Sequence, residues 1–294
     1  PKYKLNPGDE IIVPAVSWST TYFPLSQYGL KLKFVDIDLE TLNIDPIKLK
    51  EAITVKTRAI LLVNLLGNPN QFSALQDILK DKNIFLIEDN CESLGAEFNK
   101  KKAGTFGVLG TFSTFFSHHI CTMEGGLIVT DNEEIYHILL SLRAHGWTRN
   151  LPRENLVTTT KENEPFYESF KFVLPGYNLR PLEMSGAIGI VQLKKLNGFI
   201  EQRRKNANLF VKYFSNNKNI YIQKETGLSS WFGFSLIVKP NSKFSRSELL
   251  KNLREAGFEC RPIVTGNFVS QPVIKYIKYD VHDNLNNANY LDKN

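Results

Sequence analysis

The sequence contains few cysteines, and their positions exclude several kinds of site. Cys91, Cys121 and Cys260 are scattered through 294 residues without CxxC spacing. This usage is typical of a reducing compartment and provides no zinc-binding pattern. It is also too small a set of thiolates to hold an iron–sulfur cluster. We therefore predict no metal site.

Long apolar runs are also missing. No run approaches the roughly 18 residues that cross a bilayer, and the start of the chain, PKYK, lacks an apolar signal region. We expect a cytoplasmic protein without membrane association. The net charge is +6, but Lys and Arg are spread among Asp and Glu, and the longest basic run is residues 100–102. Such a distribution indicates solvated surface and no nucleic-acid partner, although a nucleotide diphosphate would fit it.

The first two thirds of the chain alternate short β-branched runs with helical segments. This pattern predicts an α/β fold with a mostly parallel sheet covered by helices on both faces. Asp45 with Pro46, and Asn132 with two following glutamates, are typical of helix starts. The strands are predicted at residues 11–13, 32–35, 59–63, 84–87, 111–115 and 127–130.

The last third has a different pattern. Apolar residues recur at helical spacing from Met184 to Phe214, a strand is predicted at 231–238, and Ser245 to Glu248 form a potential capping box. We predict a large domain at 1–200 and a smaller α+β domain at 201–294. The polar segment 150–165 is expected to be a long loop.

Two segments contain side chains suited to chemistry. Glu88 and Asp89 follow a buried strand, at the edge of an open sheet where ligands bind. By itself this pair also fits a solvated strand end or a helix cap. Residues 110–129 place His118 and His119 in a polar turn between two strands. That turn, taken alone, also fits a tight connection in which the histidines only satisfy backbone groups.

The order of several motifs makes the chain resemble the DegT/DnrJ/EryC1/StrS sugar aminotransferase family over nearly its whole length. The motifs are GDEIIVPA at 8–15, FVDID at 34–38, ED at 88–89 and EGG at 124–126. The resemblance implies the fold-type I architecture of pyridoxal-phosphate enzymes, with the smaller domain at the C-terminal end. It also implies action on a nucleotide-linked keto sugar.

The resemblance implies a role for individual residues. Trp18 takes the position of the aromatic that stacks on the cofactor ring, and Asp89 that of the partner of the pyridine nitrogen. Ser113 takes the position of a serine that contacts the cofactor phosphate. Asn178, in the segment GYNLR, matches an asparagine that reaches the phosphate of the neighbouring subunit, which implies a homodimer with a shared active site. Each of these residues also fits an ordinary structural role.

The sequence departs from the family at two positions. Counting back from the glycines at 125–126 places His118 where relatives have the Schiff-base lysine, and Glu92 replaces a glutamine. Imidazole cannot form the stable imine that lysine forms, but it can remove and return a proton near neutral pH. We therefore expect His118 and Glu92 to be catalytic. Pyridoxal or pyridoxamine phosphate is expected to bind noncovalently.

Relatives with this histidine are sugar 3-dehydratases. The resemblance implies removal of the C3 hydroxyl from a nucleotide-linked 4-keto-6-deoxy sugar, with GDP-4-keto-6-deoxy-D-mannose as the expected substrate and L-glutamate restoring the pyridoxamine form. One alternative is a relative that lost the lysine and acts as a regulatory or structural protein. Another is a sensor or scaffold that binds nucleotide sugars. The resemblance also implies a phosphate-binding loop upstream of Gly8 and a further C-terminal segment, neither of which the 294 residues contain.

Overall fold

The fold is built on a seven-stranded sheet, and the computed structural model describes residues 3–294. Those residues form the strands β1 (Glu10–Pro14), β2 (Lys31–Val35), β3 (Thr57–Val63), β4 (Phe85–Asp89), β5 (Glu97–Phe98), β6 (Lys101–Lys102), β7 (Leu109–Ser113), β8 (Gly126–Val129), β9 (Glu154–Asn155), β10 (Thr159–Thr160), β11 (Ile220–Tyr221), β12 (Ile237–Val238) and β13 (Tyr279–Val281).

Helices connect these strands and cover the sheet. The α-helices are α1 (Ser19–Gln27), α2 (Pro46–Ala52), α3 (Phe72–Leu79), α4 (Glu133–Leu142), α5 (Pro165–Glu168), α6 (Glu183–Phe214), α7 (Arg246–Glu255) and α8 (Asn286–Lys293). Short 3₁₀ segments lie at Leu65–Gly67, Phe268–Ser270 and Pro272–Tyr276.

The strand order across the sheet is β13-β2-β1-β3-β4-β7-β8. Neighbours are parallel except β7 and β8, which are antiparallel. From β1 the chain goes to β2 on one side and then to β3 on the other, so the winding direction reverses at β1. In open sheets of this kind, ligands bind in the crevice outside the carboxyl ends of the strands at such a reversal.

Both faces of the sheet are buried, because successive strand residues point to opposite sides. On one face, Ile11 and Val13 pack with Tyr22 of α1. On the other face, Ile12 packs with Phe72 of α3. These continuous apolar strands are the runs that the sequence predicts, and they hold the carboxyl edge of the sheet in place.

Most predicted elements are confirmed, with small shifts in their ends. The helix expected from 184 to 214 is α6, and the capping box of Ser245 and Glu248 opens α7. The strand predicted at 231–238 is wrong except for its last two residues, β12. Its first part does not join a ladder, because Trp231 has a left-handed backbone with φ of 49°. The loop predicted at 150–165 also contains a small hairpin of β9 and β10.

The division at residue 200 stays a prediction. Residue 200 lies inside α6, which runs without interruption. From the range 201–294, β13 pairs with β2 of the main sheet, and Leu291 of α8 packs into the core on the face with Ile11. Within residues 3–294, no helix is long and apolar enough to span a membrane. The same residues contain no cluster of three His, Cys, Asp or Glu side chains arranged to hold a metal ion.

Candidate active site

Polar side chains from several strand ends meet at the carboxyl edge of the sheet. Ser17 and Trp18 follow β1, Asp89 is the last residue of β4, and Ser113 is the last residue of β7. Because these strands are parallel, their carboxyl ends lie on the same edge. The sheet therefore brings together residues that are far apart in the sequence.

Asp89 is held by hydrogen bonds to both carboxylate oxygens. The Thr21 hydroxyl donates to Oδ2 at 2.8 Å, and the Cys91 backbone N–H donates to Oδ1 at 3.1 Å. Thr21 is fixed in turn by a 2.8 Å hydrogen bond with the Ser17 hydroxyl. These contacts orient the carboxylate, and each oxygen retains lone-pair capacity for another donor.

Glu88, the neighbouring acid, serves the fold. Its side chain is fully buried and accepts hydrogen bonds from the backbone N–H groups of Gly104, Phe106 and Gly107 at 2.6–2.8 Å. Burial raises the pKa of this carboxyl, and the backbone hydrogen bonds oppose the rise. Of the two acids predicted at this strand end, Asp89 is the one at the site.

Glu92 lies half-buried one turn after Asp89. Its Oε2 accepts a 2.8 Å hydrogen bond from the backbone N–H of Leu66. Leu66 has a left-handed backbone with φ of 54°, which few non-glycine residues adopt. Burial, with the nearby charge of Asp89, raises the pKa of Glu92 to about 7, although the Leu66 hydrogen bond lowers it. This carboxyl can therefore gain or lose a proton near neutral pH.

His118 lies on the turn between β7 and β8. Its ring is half-buried, with the Phe232 ring centroid 5.2 Å away. Burial lowers the pKa of His118, and the Phe115 backbone, followed by the negative charge of Asp89, opposes that effect. Among the described residues, Nδ1 of His118 is buried without a hydrogen-bond partner. Burial thus favours the neutral imidazole, in which Nδ1 is not used by the described residues.

His119 has a different environment although it is the next residue. It is 3% exposed, and its Nε2 lies 3.1 Å from the backbone carbonyl of Ser230. Burial, followed by the positive charge of Arg203, lowers the pKa of His119 to about 4. His119 is thus a neutral residue that anchors another segment.

The turn that contains His118 is closed by hydroxyl contacts. The Thr114 and Thr122 hydroxyls are 2.6 Å apart, and the Thr122 backbone N–H donates to the carbonyl of Thr114. A Cβ atom at Gly125 would collide with both hydroxyls. The Ser113 hydroxyl, at the start of the turn, accepts from the Phe115 backbone N–H at 3.2 Å. These contacts fix the two ends of the turn.

Trp18 lies at the entrance of the site. It is the residue before α1, and its side chain is 58% exposed at the carboxyl end of β1. Trp18 is thus exposed at the same edge of the sheet as Asp89, three residues before the Thr21 that holds that carboxylate. This is the environment expected of a residue that stacks on a ring.

Asn178 is exposed, and its backbone pairs with Ala144 after α4. Its loop packs tightly there, because a Cβ atom at Gly146 or Gly176 would collide with the backbone of the other segment. No hydrogen bond of the described residues joins Asn178 to Asp89 or His118. The chain thus gathers Trp18, Asp89, Glu92, Ser113 and His118, while Asn178 belongs to a separate exposed loop.

Sequence reasoning missed the residues that hold these side chains. Thr21 orients Asp89, Leu66 binds Glu92, and Phe232 covers His118. Four of the five residues at 17–21 carry hydroxyl groups, a few positions after the strand predicted at 11–13. This local pattern is a signal that could have identified Thr21. Leu66 and Phe232 have no comparable local signal, because only the folded chain brings them to the site.

The gathered residues fit the pyridine cofactor that the resemblance implies. Asp89 provides an oriented anion with free lone pairs, Trp18 provides an open aromatic face, and His118 provides a buried nitrogen without a partner among residues 3–294. A protonated pyridine nitrogen requires such an anion. Residue 118 is a histidine, so this position has no lysine amine that could form an imine with the cofactor aldehyde.

Comparisons with known proteins agree with this geometry. The chain is 65% identical, over all 294 of its residues and 76% of the relative's length, to GDP-4-keto-6-deoxy-D-mannose 3-dehydratase of Escherichia coli O55:H7. Two solved structures of GDP-4-keto-6-deoxymannose-3-dehydratase superimpose with a TM-score of 0.97 at 65% identity. Each match covers 99% of this chain and 75% of the other.

One of those structures has a trapped PLP–glutamate geminal diamine, and the other is a variant with a histidine replaced by asparagine and with GDP-perosamine bound. The pattern of the DegT/DnrJ/EryC1/StrS aminotransferase family matches residues 2–294. Because this match covers residues 2–294, the chain belongs to the DegT/DnrJ/EryC1/StrS aminotransferase family.

Proposed function

We propose that the chain is a pyridoxal/pyridoxamine-phosphate-dependent dehydratase that removes the C3 hydroxyl of GDP-4-keto-6-deoxy-D-mannose. The observation that carries the proposal is the half-buried imidazole of His118, with an unused nitrogen, beside the charge of Asp89. An amine at this position would favour covalent attachment and amino transfer, whereas an imidazole favours proton transfer. The 65% identity to a 3-dehydratase supports the same reaction.

Asp89, Trp18 and Ser113 are the residues that would hold the cofactor. Asp89, oriented by Thr21 and Cys91, would keep a proton on the ring nitrogen, and the exposed Trp18 indole would cover one face of the ring. The Ser113 hydroxyl donates to the phosphate. The bound pyridoxamine form supplies an amine for the C4 ketone and a ring that withdraws electrons.

His118 moves the proton. As a neutral imidazole it would take a proton from the carbon that carries the cofactor amine and would then donate that proton to the departing C3 hydroxyl. Its lowered pKa keeps the ring neutral and ready to accept a proton at physiological pH. A single residue can perform both transfers because imidazole releases a proton as readily as it accepts one near neutrality.

Glu92 is the second catalytic residue. Its carboxyl stands near Asp89, whose charge adds to the effect of burial in raising the pKa of Glu92. We assign it the adjustment of ring protonation, because a neutral Glu92 leaves Asp89 as the charged partner of the ring nitrogen. The Leu66 N–H fixes the orientation of the Glu92 carboxyl for this role.

L-glutamate and a second copy of the chain complete the proposal. The dehydrated sugar would leave with the cofactor amine, and hydrolysis would release that amine as ammonia. L-glutamate would then donate a new amino group, restore the pyridoxamine form and leave as 2-oxoglutarate. The loop of Asn178 and the first half of α6 expose large apolar side chains, including Leu182 and Ile190, at 67% and 64%. Contiguous apolar surface of this kind is typical of an interface. In the resulting homodimer, Asn178 of each subunit contacts the cofactor phosphate of the other.

Turnover tests the function directly. The purified chain is incubated with pyridoxamine phosphate, L-glutamate and GDP-4-keto-6-deoxymannose, and ammonia and 2-oxoglutarate are measured. We expect both products in equal amounts and a sugar without its C3 hydroxyl by mass spectrometry. If the chain binds the cofactor and releases neither product, the regulatory or structural alternative replaces the dehydratase.

The variant His118→Lys tests the site assignment. We expect it to attach pyridoxal phosphate covalently, which borohydride reduction and peptide mass spectrometry detect at residue 118, and to lose dehydration. His118→Asn, which can neither attach the cofactor nor move the proton, is the matched control. Turnover by either variant at the rate of the parent would contradict the role of His118.

A further inference from the structure

The aromatic ring of Phe232 packs against the imidazole ring of His118. The two ring centroids are 5.2 Å apart with planes tilted by 38°, and Phe232 also lies 5.8 Å from the ring of His119. Phe232 is partly buried and packs against the main core. It therefore links the turn that contains His118 to the body of the protein.

The backbone around Phe232 is held by side chains from two other elements. We call residues 229–233 the Phe232 segment. Nε2 of His119 lies 3.1 Å from the Ser230 carbonyl, and the Arg203 guanidinium of α6 donates to the carbonyls of Trp231 and Phe232 at 2.9 and 3.1 Å. Because the partner of His119 is a carbonyl, its Nε2 must carry the proton and donate. The His119 donor is buried, and the Arg203 guanidinium is partly buried.

The same segment is joined to Glu92 through one residue. The Phe232 backbone N–H donates to the carbonyl of Leu66 at 2.9 Å, and the Leu66 N–H donates to Glu92 at 2.8 Å. Leu66 has its left-handed backbone at this point, and a Cβ atom at Gly67 would collide with the Trp231 nitrogen. The cover of His118 and the support of Glu92 thus depend on one tightly packed turn.

We propose that Phe232 is a positioning residue for His118, which fixes the imidazole and keeps water from one of its faces, and that His119 holds the Phe232 segment in place. The inference rests on the proposed function of His118 as the proton-transfer group. Phe232 acts through His118 rather than on the substrate.

The consequence for proton transfer follows from solvation. Burial lowers the pKa of His118, while Asp89 on β4 opposes this, and the neutral His119 with the Arg203 cation lies on the other side. Replacing Phe232 by leucine admits water to the imidazole and raises its pKa toward the ordinary value. Because the active form is neutral, the acid limb of the pH–rate profile moves to higher pH. A shift of about half a unit corresponds to about threefold in the neutral fraction below the pKa.

Phe234 provides a matched control in the same segment of chain. It is 47% exposed, and its ring lies 4.7 Å from Phe210 of α6. It has no ring contact with His118 among the described residues. Phe234→Leu therefore removes an aromatic ring two positions away without uncovering the imidazole.

Two measurements test the inference. Diethyl pyrocarbonate labels neutral imidazole, and peptide mass spectrometry of the full chain without added cofactor follows labelling at His118 as a function of pH. The dehydration rate is measured over the same pH range for the cofactor-loaded protein. For Phe232→Leu we expect the midpoint of His118 labelling to rise by about half a unit, so that the labelling rate below the midpoint is about threefold lower relative to its value at high pH. The acid limb of the kcat profile should shift by the same amount, with little change in KM. Phe234→Leu should match the parent.

The outcomes separate the two hypotheses. If Phe232→Leu has the same His118 labelling and the same pH–rate profile as the parent, the positioning role of Phe232 is overturned. A shift in labelling without any shift in the kcat profile would leave the cover of His118 intact and overturn the proposed function of His118. His119→Gln, which retains a donor for Ser230, should behave like the parent, whereas His119→Leu should resemble Phe232→Leu. If these two variants behave alike, His119 does not hold the segment.

Discussion

At the scale of the residue, side chains of the same chemical type differ in their hydrogen bonds and exposure because their surroundings differ. His118 and His119 are adjacent, yet His119 is bonded to a carbonyl and nearly inaccessible, whereas His118 has an unused nitrogen near an aspartate. Glu88 and Asp89 differ in the same way, because three backbone N–H groups bind Glu88 and a threonine hydroxyl orients Asp89. In each pair, the residue proposed to take part in catalysis or cofactor binding is the one whose side chain is not fully used in hydrogen bonds that stabilise the fold.

Glu92→Gln should change how stability depends on pH. The pKa of Glu92 is raised from 4.5 to about 7, so the folded state keeps a proton that the unfolded state releases between these values. The stability that protonated Glu92 contributes is fully present below pH 4.5 and is lost as the pH rises through about 7. Glutamine still accepts the Leu66 N–H and never ionises. The variant should therefore gain stability relative to the parent between about pH 5 and about pH 8, measured by urea unfolding.

Glu97→Gln is the control for this measurement. The Lys102 ammonium lowers the pKa of Glu97, so the stability it contributes is lost only in acid, below the range tested. The difference in the free energy of unfolding between Glu97→Gln and the parent should be the same at about pH 5 and at about pH 8. A Glu92→Gln difference that is also independent of pH would show that Glu92 is ionised throughout this range.

At the scale of the element, helix α8 is docked to the sheet by one buried acid. Asp36, after β2, is fully buried and accepts hydrogen bonds from the backbone N–H groups of Asn287 and Ala288 at 2.9 and 2.8 Å. Lys48 donates to the same carboxylate at 2.9 Å. The acid thus binds the first turn of a helix and a lysine from another element at once.

Asp36→Ala should therefore destabilise the protein strongly. Removing the carboxylate leaves two helix N–H groups without their acceptor and leaves Lys48 only its 3.6 Å ion pair with Asp283. We expect a loss of about 3 kcal/mol in the free energy of unfolding by urea denaturation. Asp36→Asn, which retains one acceptor, should lose less. Asp280→Ala breaks an exposed pair with Lys31 and should cost less than about 1 kcal/mol. Equal losses for Asp36→Ala and Asp280→Ala would contradict the docking role.

The segment 231–238 illustrates where local patterns mislead. Its apolar and aromatic residues have strand propensity, and only β12 forms. Trp231 is turned into the left-handed region, and the carbonyls before Gly233 are bound by Arg203 and His119 rather than by a neighbouring strand. Tertiary contacts determine the backbone here, and they do so next to the candidate site.

At the scale of the whole molecule, the proposed homodimer is tested on α6. Ile190→Glu places a charge on the exposed apolar face of this helix, and we expect the dimer dissociation constant to rise by at least about tenfold, measured by sedimentation at several concentrations. Ile47→Glu is the control, since Ile47 is similarly exposed, at 69%, but lies on α2. If Ile190→Glu and Ile47→Glu associate equally well, the interface lies elsewhere.

The sequence by itself determined much of the architecture and part of the site. The buried runs predicted the strands, and the periodicity from Met184 to Phe214 predicted α6. The order of the motifs identified the family and directed attention to His118, Asp89 and Trp18. These features can be recognised from the chain alone because each depends on residues that are close together in sequence.

Only the tertiary structure decided which of these side chains are available and what holds them. His119 and Ser230 are 111 residues apart, and Thr21 and Asp89 are 68 apart. The contact of Phe232 with His118 needs the β7–β8 turn, α6 and the Leu66 turn to pack together. A local pattern cannot specify such contacts, because they depend on how distant elements exclude water and satisfy one another's hydrogen bonds.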